Sequence, residues 1–344
     1  AAAALYCNVM RRGIAKLNER KLRRGVEPTP YRRQAAENAP LWEELEKQTQ
    51  TLRADDGAIL TAHFIPADRP TRRAALVLHG YDCTAQTLAA IPYMLHQNGF
   101  AVLMPEQRAN GPSEGKATTF GALESRDALL WLARLQELCP DCGIAIYGNS
   151  MGAATALLTG AKKELPAAVQ CIVSDCSYTS FEDMIRLTLR RMPRPLVWLL
   201  LGAVKCLSRP MAGFSMCDTR PIDAVRSIPV PVLFIHGADD TFVPTAMGRQ
   251  LFKAKTGLKE LLVIEGAAHA VSAERIGHEE LRDRPVQRAV TFRNAVDERK
   301  ARKTFLCVDQ VGCAIVPAFK IGGQPLITEQ AVRIKVRFVV LENS

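Results

Sequence analysis

The chain has 344 residues, 48% of them apolar and 23% charged. This balance excludes a wholly disordered, collagen-like or coiled-coil protein, and the length suits one large domain or two small ones. The formal charge of +10 lies in the flanks: residues 1–33 hold nine Lys/Arg against two Asp/Glu and residues 277–344 twelve against eight, leaving 34–276 at −1. A basic groove in the central domain is not expected, and neither is a nucleic-acid partner.

In chain order, the opening "AAAALYCNVM" followed by "RRGIAKLNERKLRRG" reads either as a helix start or as the end of a membrane anchor leaving the bilayer on its cytoplasmic side. Ten residues are too few to span about 30 Å of hydrocarbon. The segment 1–45 is thus a basic N-terminal region, with contact to an anionic membrane surface as the sharper expectation. Residues 50–66 predict a strand pair turning at "ADDG" (54–57), since Asp-Gly marks a tight turn. "AALVLHG" (74–80) is a continuous apolar run ending in Gly, as a strand buried on both faces would be. A helix over 85–98 would carry Leu88, Ile91, Met94 and Leu95 on one face, and "FAVLMP" (100–105) is a second buried strand. Residues 121–138 form an amphipathic helix with Leu123, Leu130, Leu132 and Leu135 among its apolar positions. "GIAIYG" (143–148), "VQCIVS" (169–174), "PVLFIHG" (231–237) and "ELLVIEG" (260–266) are further short apolar runs. Strand alternating with helix implies a doubly wound α/β fold, its mostly parallel sheet covered by helices on both faces.

The stretch 177–228 breaks this rhythm. It holds an amphipathic run from Phe181 to Met192, then Pro193, Pro195 and an apolar helix at 196–207. The longest apolar run, 196–204, is too short to cross a membrane. Lying between two predicted strands, the stretch reads as a short helical lid over the carboxyl edge of the sheet, where α/β folds bind ligands. Leu187, Leu189, Leu196 and Trp198 are expected to line it and to favour an acyl or aromatic substrate.

The ten cysteines are irregularly spaced and do not suggest a disulfide scaffold, so a reducing, cytoplasmic compartment is expected. Anchorage to the inner face of the cell membrane follows only on the anchor reading. Cys139 and Cys142 form one CxxC with no second pair to complete a zinc site. Cys83, Cys171, Cys176, Cys206 and Cys217 are expected to behave as small apolar residues.

"GNSMG" (148–152) follows a buried strand and opens the helix "SMGAATALLTGAKKEL". G-x-S-x-G in this strand–turn–helix setting is a nucleophile elbow. Gly148 and Gly152 would remove side chains that clash in the turn, and Ser150 would stand proud of the sheet before a helix N-terminus. A serine nucleophile needs a base, and the base needs an acid. Downstream lie His236, His269 and His278. His236 sits inside the apolar "LFIHG", His278 in the polar "GHEE", and His269 in a small-residue loop after a strand, so His269 is the expected base. Asp240 in "HGADDTFVP" is the preferred acid, with Asp239 and Asp175 as alternatives. Two backbone N–H groups would hold an oxyanion, those of Met151 and Tyr81. No metal or organic cofactor is required by such chemistry.

These residues carry a resemblance to the α/β-hydrolase superfamily, and within it to the bacterial serine-aminopeptidase and lysophospholipase-like branch, whose members often bear an N-terminal membrane anchor. The matching segments are "LVLHGY", "MPEQRANGPSEGKATTFGALESRDALLWL", "IAIYGNSMGAATALL", "IVSDCSYTSFEDM", "VLFIHGADDTFVP" and "EGAAHAVSAE". They run in family order over roughly 50–275, with the hydrolase core placed at 46–275 and the lid at about 177–228. The resemblance implies Ser150 as nucleophile, Asp240 as acid, His269 as base, and the Tyr81 and Met151 amides as oxyanion hole. Relatives usually read Asp-Gln-Arg-x-His-Gly where this chain has Glu106 to Gly111. Residues 276–344 resemble nothing in the family. A run at 286–300 could be its closing helix, and "AVRIKVRFVV" reads as an edge strand with Arg333, Lys335 and Arg337 outward, or as a basic contact surface.

The expectation is a serine hydrolase acting on a small-molecule ester or amide through an acyl-enzyme, carboxylesterase action on small or lipid-like esters leading. Peptidase or acyltransferase chemistry on the same residues is the alternative, as is a catalytically silent binding protein on the same scaffold.

Overall fold

The computed structural model describes residues 35–270. Residues 1–34 of the N-terminal segment, His278, the run at 286–300 and the tail with Arg333, Lys335 and Arg337 lie outside the described residues. The end of that segment, 35–45, packs Trp42 and Leu45 against the sheet rather than standing apart from the core. The described part belongs to the first unit into which the chain divides, Ala1–Ala301.

Among the described residues there is one eight-stranded sheet, in the order β1-β2-β4-β3-β5-β6-β7-β8. Its strands are β1 (Gln48–Arg53), β2 (Ile59–Ile65), β3 (Arg73–Leu78), β4 (Ala101–Pro105), β5 (Gly143–Asn149), β6 (Val169–Asp175), β7 (Val232–Gly237) and β8 (Lys259–Ile264). β2 runs antiparallel to β1 and β4, and every other pairing is parallel. The first hairpin turns where "ADDG" predicts, with Gly57 at φ +86 and its N–H donating to Ala54 O. That left-handed position is the one place in the turn that favours glycine.

The central strands are apolar at successive positions because helices cover both faces. Along β3, Leu76 and Leu78 enter one apolar cluster while Ala75 and Val77 enter another on the opposite face. β5 repeats the division with Ile144 and Ile146 against Ala145 and Tyr147. The first cluster is closed by α3 (Glu124–Leu138), α4 (Met151–Gly160) and α8 (Thr245–Ala254), through Trp131, Leu132, Leu135, Leu157 and Leu251. The second is closed by α1 (Ala39–Glu44) and α2 (Ala90–Gln97), through Trp42, Ile91 and Leu95. The helix predicted over 85–98 divides into a 3₁₀ turn at Ala85–Leu88 and α2, and α3 starts at Glu124, with Leu123 as its N-cap.

The excursion between β6 and β7 carries α5 (Phe181–Thr188), α6 (Arg194–Ala212) and α7 (Pro221–Ala224). Ser180 caps α5 by accepting the N–H of Asp183 at 3.0 Å. α6 begins with Pro195 in its first turn, where a missing N–H costs nothing, and ends at Gly213 in the left-handed conformation (φ +74). It is longer than the apolar run of the sequence suggests. Its 19 residues are enough, by length and composition, to cross a membrane, with a mean hydropathy of 1.2 over its most apolar window. Its inner face instead joins a third cluster, in which Val197, Leu201 and Val204 pack with Met151, Phe120 and Phe181.

Two expectations on cysteine and the lid are corrected. Cys206 and Cys217 are exposed rather than acting as buried apolar residues, whereas Cys83, Cys171 and Cys176 are buried. Leu196 and Trp198 do not line the inside of the lid: they are 39% and 69% exposed, because the turn of α6 gives its inner face to Val197, Leu200, Leu201 and Val204.

Candidate active site

The crossover from β3 to β4 runs to one side of β3 and the next crossover leads to β5 on its other side. This reversal opens a crevice at the carboxyl ends of β3 and β5. Ser150 lies there, between the end of β5 and the first residue of α4, at φ +54 and ψ −114. The turn is possible only without side chains at its flanks. A Cβ on Gly148 would stand 2.2 Å from Gly152 O, and one on Gly152 would stand 2.1 Å from Leu78 O. A positive φ at a non-glycine residue costs of order 1–3 kcal/mol and persists only where surrounding contacts enforce it. Here the Ser150 N–H donates to Asp175 O at 2.7 Å, tying the elbow to the end of β6.

Ser150 Oγ lies 2.9 Å from His269 Nε2, and His269 Nδ1 lies 2.6 Å from Asp240 Oδ2. An ionised carboxylate can only accept, so Nδ1 carries the ring proton and Nε2 is left to accept from the serine hydroxyl. His269 is carried by the loop after β8, which closes onto β7 because Gly237 has no side chain: a Cβ there would be 2.3 Å from Ala267 O. Asp240 is fixed independently, its Oδ1 accepting the N–H groups of Phe242 at 3.0 Å and Val243 at 2.8 Å. Burial opposes ionisation of Asp240, but hydrogen bonds from His236, His269 and the Val243 amide outweigh it and hold the pKa down to about 2. Asp239, one of the alternatives, is exposed. Asp175, the other, sits beneath the elbow and accepts from Tyr147 Oη at 2.7 Å, Asn149 Nδ2 at 3.3 Å and Cys176 Sγ at 3.0 Å.

His236 is buried, as its apolar setting suggests, yet its surroundings serve the same loop. Its Nε2 donates to Val243 O at 2.8 Å and lies 3.4 Å from Asp240 Oδ2. Gly248 permits this packing, since a Cβ there would meet His236 Nδ1 at 2.4 Å. Phe242 stands against the other side of the dyad, its ring centroid 4.9 Å from that of His269. Sequence reading gave neither residue a part in the site. The available signal was the spacing of an acid two and three residues before Phe242 and Val243, which is the geometry of a carboxylate bonding forward to its own loop.

Tyr81 and Met151 enter the same apolar cluster as the inner face of α6. The Tyr81 ring stacks on Phe120 at 5.4 Å, and Phe120 on Phe181 at 3.7 Å, so an aromatic wall leads from the end of β3 to the lid. Gly80, just after the end of β3, faces the elbow: an added Cβ would sit 3.5 Å from Ser150 Cβ and 3.6 Å from Asn149 O and Oδ1, at ordinary contact distance, so the glycine keeps space free beside the serine.

The segment Glu106–Gly111 is wired to this wall despite its unusual residues. His79 Nε2 accepts the Gln107 N–H at 2.9 Å, which places the ring proton on Nδ1, donated to Gly80 O at 2.8 Å. Gln107 Nε2 donates to His79 O at 2.5 Å. Burial pushes the His79 pKa down against the opposing pull of Glu106, so the ring is neutral and braces the Gly80 carbonyl. Arg108 holds Asp127 bidentately, both bonds 2.7 Å, and Asp56 at 2.9 Å. Burial disfavours its charge, but the Asp127 carboxylate outweighs that and raises its pKa.

Among the described residues, Cys176, Asp240 and His269 offer metal-ligating atoms within 4.8 Å of one another. Two of the three are already bonded together at 2.6 Å and the sulfur is bonded to Asp175, so a cation would have to break both contacts.

The family model described as "Alpha/beta hydrolase family" matches residues 75–278. An uncharacterized protein of Bacillus subtilis is 31% identical over 63% of this chain and 70% of its own length. An uncharacterized protein of Mycobacterium tuberculosis is 27% identical over 57% of this chain and 62% of its own length. The alpha/beta hydrolase domain-containing protein WAV2 of Arabidopsis thaliana is 26% identical over 58% and 64%. Among solved structures, a Pyrococcus furiosus esterase covers 75% of this chain and 94% of its own, at 22% identity and a TM-score of 0.57. Est1E from Butyrivibrio proteoclasticus, solved with ferulic acid, covers 74% and 100% at 17% identity and a TM-score of 0.53. With more than half of its residues matched by the family model, the chain belongs to the alpha/beta hydrolase family.

Proposed function

We propose that this chain is a serine hydrolase that cleaves a carboxylic ester through an acyl-enzyme, acting on a small or lipid-like acyl substrate. The observation that carries the proposal is the continuous chain Ser150 Oγ, His269 Nε2, His269 Nδ1, Asp240 Oδ2, with contacts of 2.9 and 2.6 Å. Ser150 Oγ attacks the carbonyl carbon as His269 Nε2 takes its proton. The tetrahedral oxyanion is held by the backbone N–H groups of Met151 and Tyr81, and the C–O bond then breaks with the proton passing from His269 to the departing alcohol. Water repeats the sequence on the acyl-serine and frees the acid. Asp240, ionised and bonded to Nδ1, keeps the ring in the tautomer that leaves Nε2 basic and stabilises the imidazolium formed in each half.

The preference for an ester with an apolar acyl group rests on the wall of Tyr81, Phe120 and Phe181 and on the apolar inner face of α6. The Pyrococcus furiosus protein of similar fold is an esterase, and Est1E holds ferulic acid, which supports the same choice. The test is labelling of the native protein by a fluorophosphonate, followed by turnover of p-nitrophenyl esters of increasing chain length beside aminoacyl anilides. Labelling and ester turnover that both vanish in Ser150→Ala are expected. An unlabelled native protein would leave a binding protein on a hydrolase scaffold, and faster turnover of the anilides would make it a peptidase.

A further inference from the structure

Helix α6 is apolar on two sides. Val197, Leu200, Leu201 and Val204 face inward and are buried, while Trp198 and Leu199 are each 69% exposed and Leu196 39%. A helix that is apolar all round is ordinarily covered, by protein or by lipid, yet only 28% of the most apolar window of α6 is buried. The charge around it is predominantly positive. Residues 181–212 hold six Lys/Arg against two Asp/Glu, and both acids are engaged: Glu182 with Arg186 and Lys205, Asp183 with Thr179 and Ser180. Arg190 and Arg191, in the connection between α5 and α6, and Arg194, the first residue of α6, are exposed and have no carboxylate partner among the described residues. Between α5 and α6 lies a surface pocket of about 330 Å³ with Arg186, Arg190 and Arg194 around Leu189, Met192 and Val197. The Arg186 guanidinium lies over the Trp198 ring, 5.6 Å from its centroid.

We propose that the outer face of the lid docks on a bilayer containing anionic phospholipid. Trp198 and Leu199 enter the boundary between headgroups and acyl chains, where an amphipathic aromatic ring is favoured. Arg190, Arg191 and Arg194 meet lipid phosphates, one of which the pocket between α5 and α6 accepts. The helix lies on the surface rather than crossing it, because withdrawing it would strip Val197, Leu201 and Val204 from the cluster that contains Met151 beside the elbow. The docking does not depend on the hydrolase reading and is tested without turnover.

The experiment uses the full chain carrying Ser150→Ala, with vesicles of phosphatidylcholine and phosphatidylglycerol in which the phosphatidylcholine is brominated in its acyl chains. Of the three tryptophans, Trp42 and Trp131 are 8% and 1% exposed, so Trp198 is the residue that reports contact with lipid. A blue shift of emission and quenching by the brominated chains are expected, and both are lost in Trp198→Phe. Exchanging Arg190, Arg191 and Arg194 for Gln together should lower the vesicle affinity read from that quenching by about 100-fold, at ~1 kcal/mol per basic residue. Vesicles that carry the protein without quenching Trp198 would show binding through another segment and overturn the proposal, as would absence of binding. Quenching of equal strength on uncharged phosphatidylcholine would overturn the anionic requirement. Protection of Trp198 from acrylamide before lipid is added would mean that the face is already covered. A mass that falls to the monomer in Trp198→Ser/Leu199→Ser would identify the cover as a second copy.

Discussion

Asp240 and His269 are joined by a 2.6 Å hydrogen bond between Oδ2 and Nδ1, while the other oxygen of the same carboxylate is held by the N–H groups of Phe242 and Val243. The acid is thus oriented by its own loop independently of its bond to the histidine. Replacing Asp240 by Asn keeps the shape but offers an N–H to Nδ1, which favours the tautomer with its proton on Nε2. Asp240→Asn should lower kcat by about 10³–10⁴ while KM changes little. Steady-state kinetics on the best p-nitrophenyl ester measure both, and an unchanged kcat would remove Asp240 from the reaction.

The same carboxylate links stability to acid. Its folded-state pKa of about 2 lies below the unfolded range near 3.9, so its contribution is present above that range and fades as pH falls toward 2. The contribution is on the order of 2 kcal/mol. Urea unfolding from pH 6 down to 3 should show the native protein approaching the stability of Asp240→Asn as the pH drops.

Activity should have a simpler acid limb than stability. With its pKa held down to about 2, Asp240 is ionised across the working range and adds no step of its own to the loss of activity. A plot of log kcat/KM against pH should therefore fall with a slope no steeper than one on acidification. A slope of two would mean that the carboxylate is protonated in the same range.

Glycines 152 and 80 should separate stability from activity. The Cβ of Gly152→Ala would meet Leu78 O at 2.1 Å, whereas that of Gly80→Ala would make only ordinary contacts, with Ser150 Cβ at 3.5 Å and the Asn149 oxygens at 3.6 Å. Gly152→Ala should destabilise the fold by about 1–3 kcal/mol or more. Gly80→Ala should melt close to the native protein but lose turnover, since its methyl group occupies space beside the serine. Thermal melts run beside esterase assays make the distinction.

Arg108 is the cation for a buried acid, holding Asp127 through two 2.7 Å bonds. Arg108→Met should cost about 3–5 kcal/mol by leaving that carboxylate unpaired, and adding Asp127→Leu should recover a large part of it. A double variant no more stable than the single one would contradict this account.

Much of the fold was legible in sequence because strand, turn and helix signals are local. The apolar runs marked the central strands to within two or three residues, and "ADDG" placed the first hairpin. "GNSMG" marked a turn between β5 and α4 that only small flanking residues can make. The resemblance in motif order carried the family. Side-chain direction was less accessible. Leu196 and Trp198 are as apolar as Val197 and Leu201, and only the rotation of α6 against Met151 and Phe181 decides which pair is inside.

What the amino-acid sequence determined by itself was the strands of the sheet, the larger helices between them, their order, and a serine held in a turn too tight for side chains beside it. The tertiary structure decided which histidine stands 2.9 Å from that serine across 119 residues of chain and which of two adjacent aspartates faces the ring. It also decided that His236 and Phe242 flank the pair. The physical reason is that a strand or helix is specified by the residues within it, whereas convergence of three loops depends on close packing between distant backbones. Gly237 against Ala267 and Gly248 against His236 are such contacts, and neither leaves a periodic trace in the sequence.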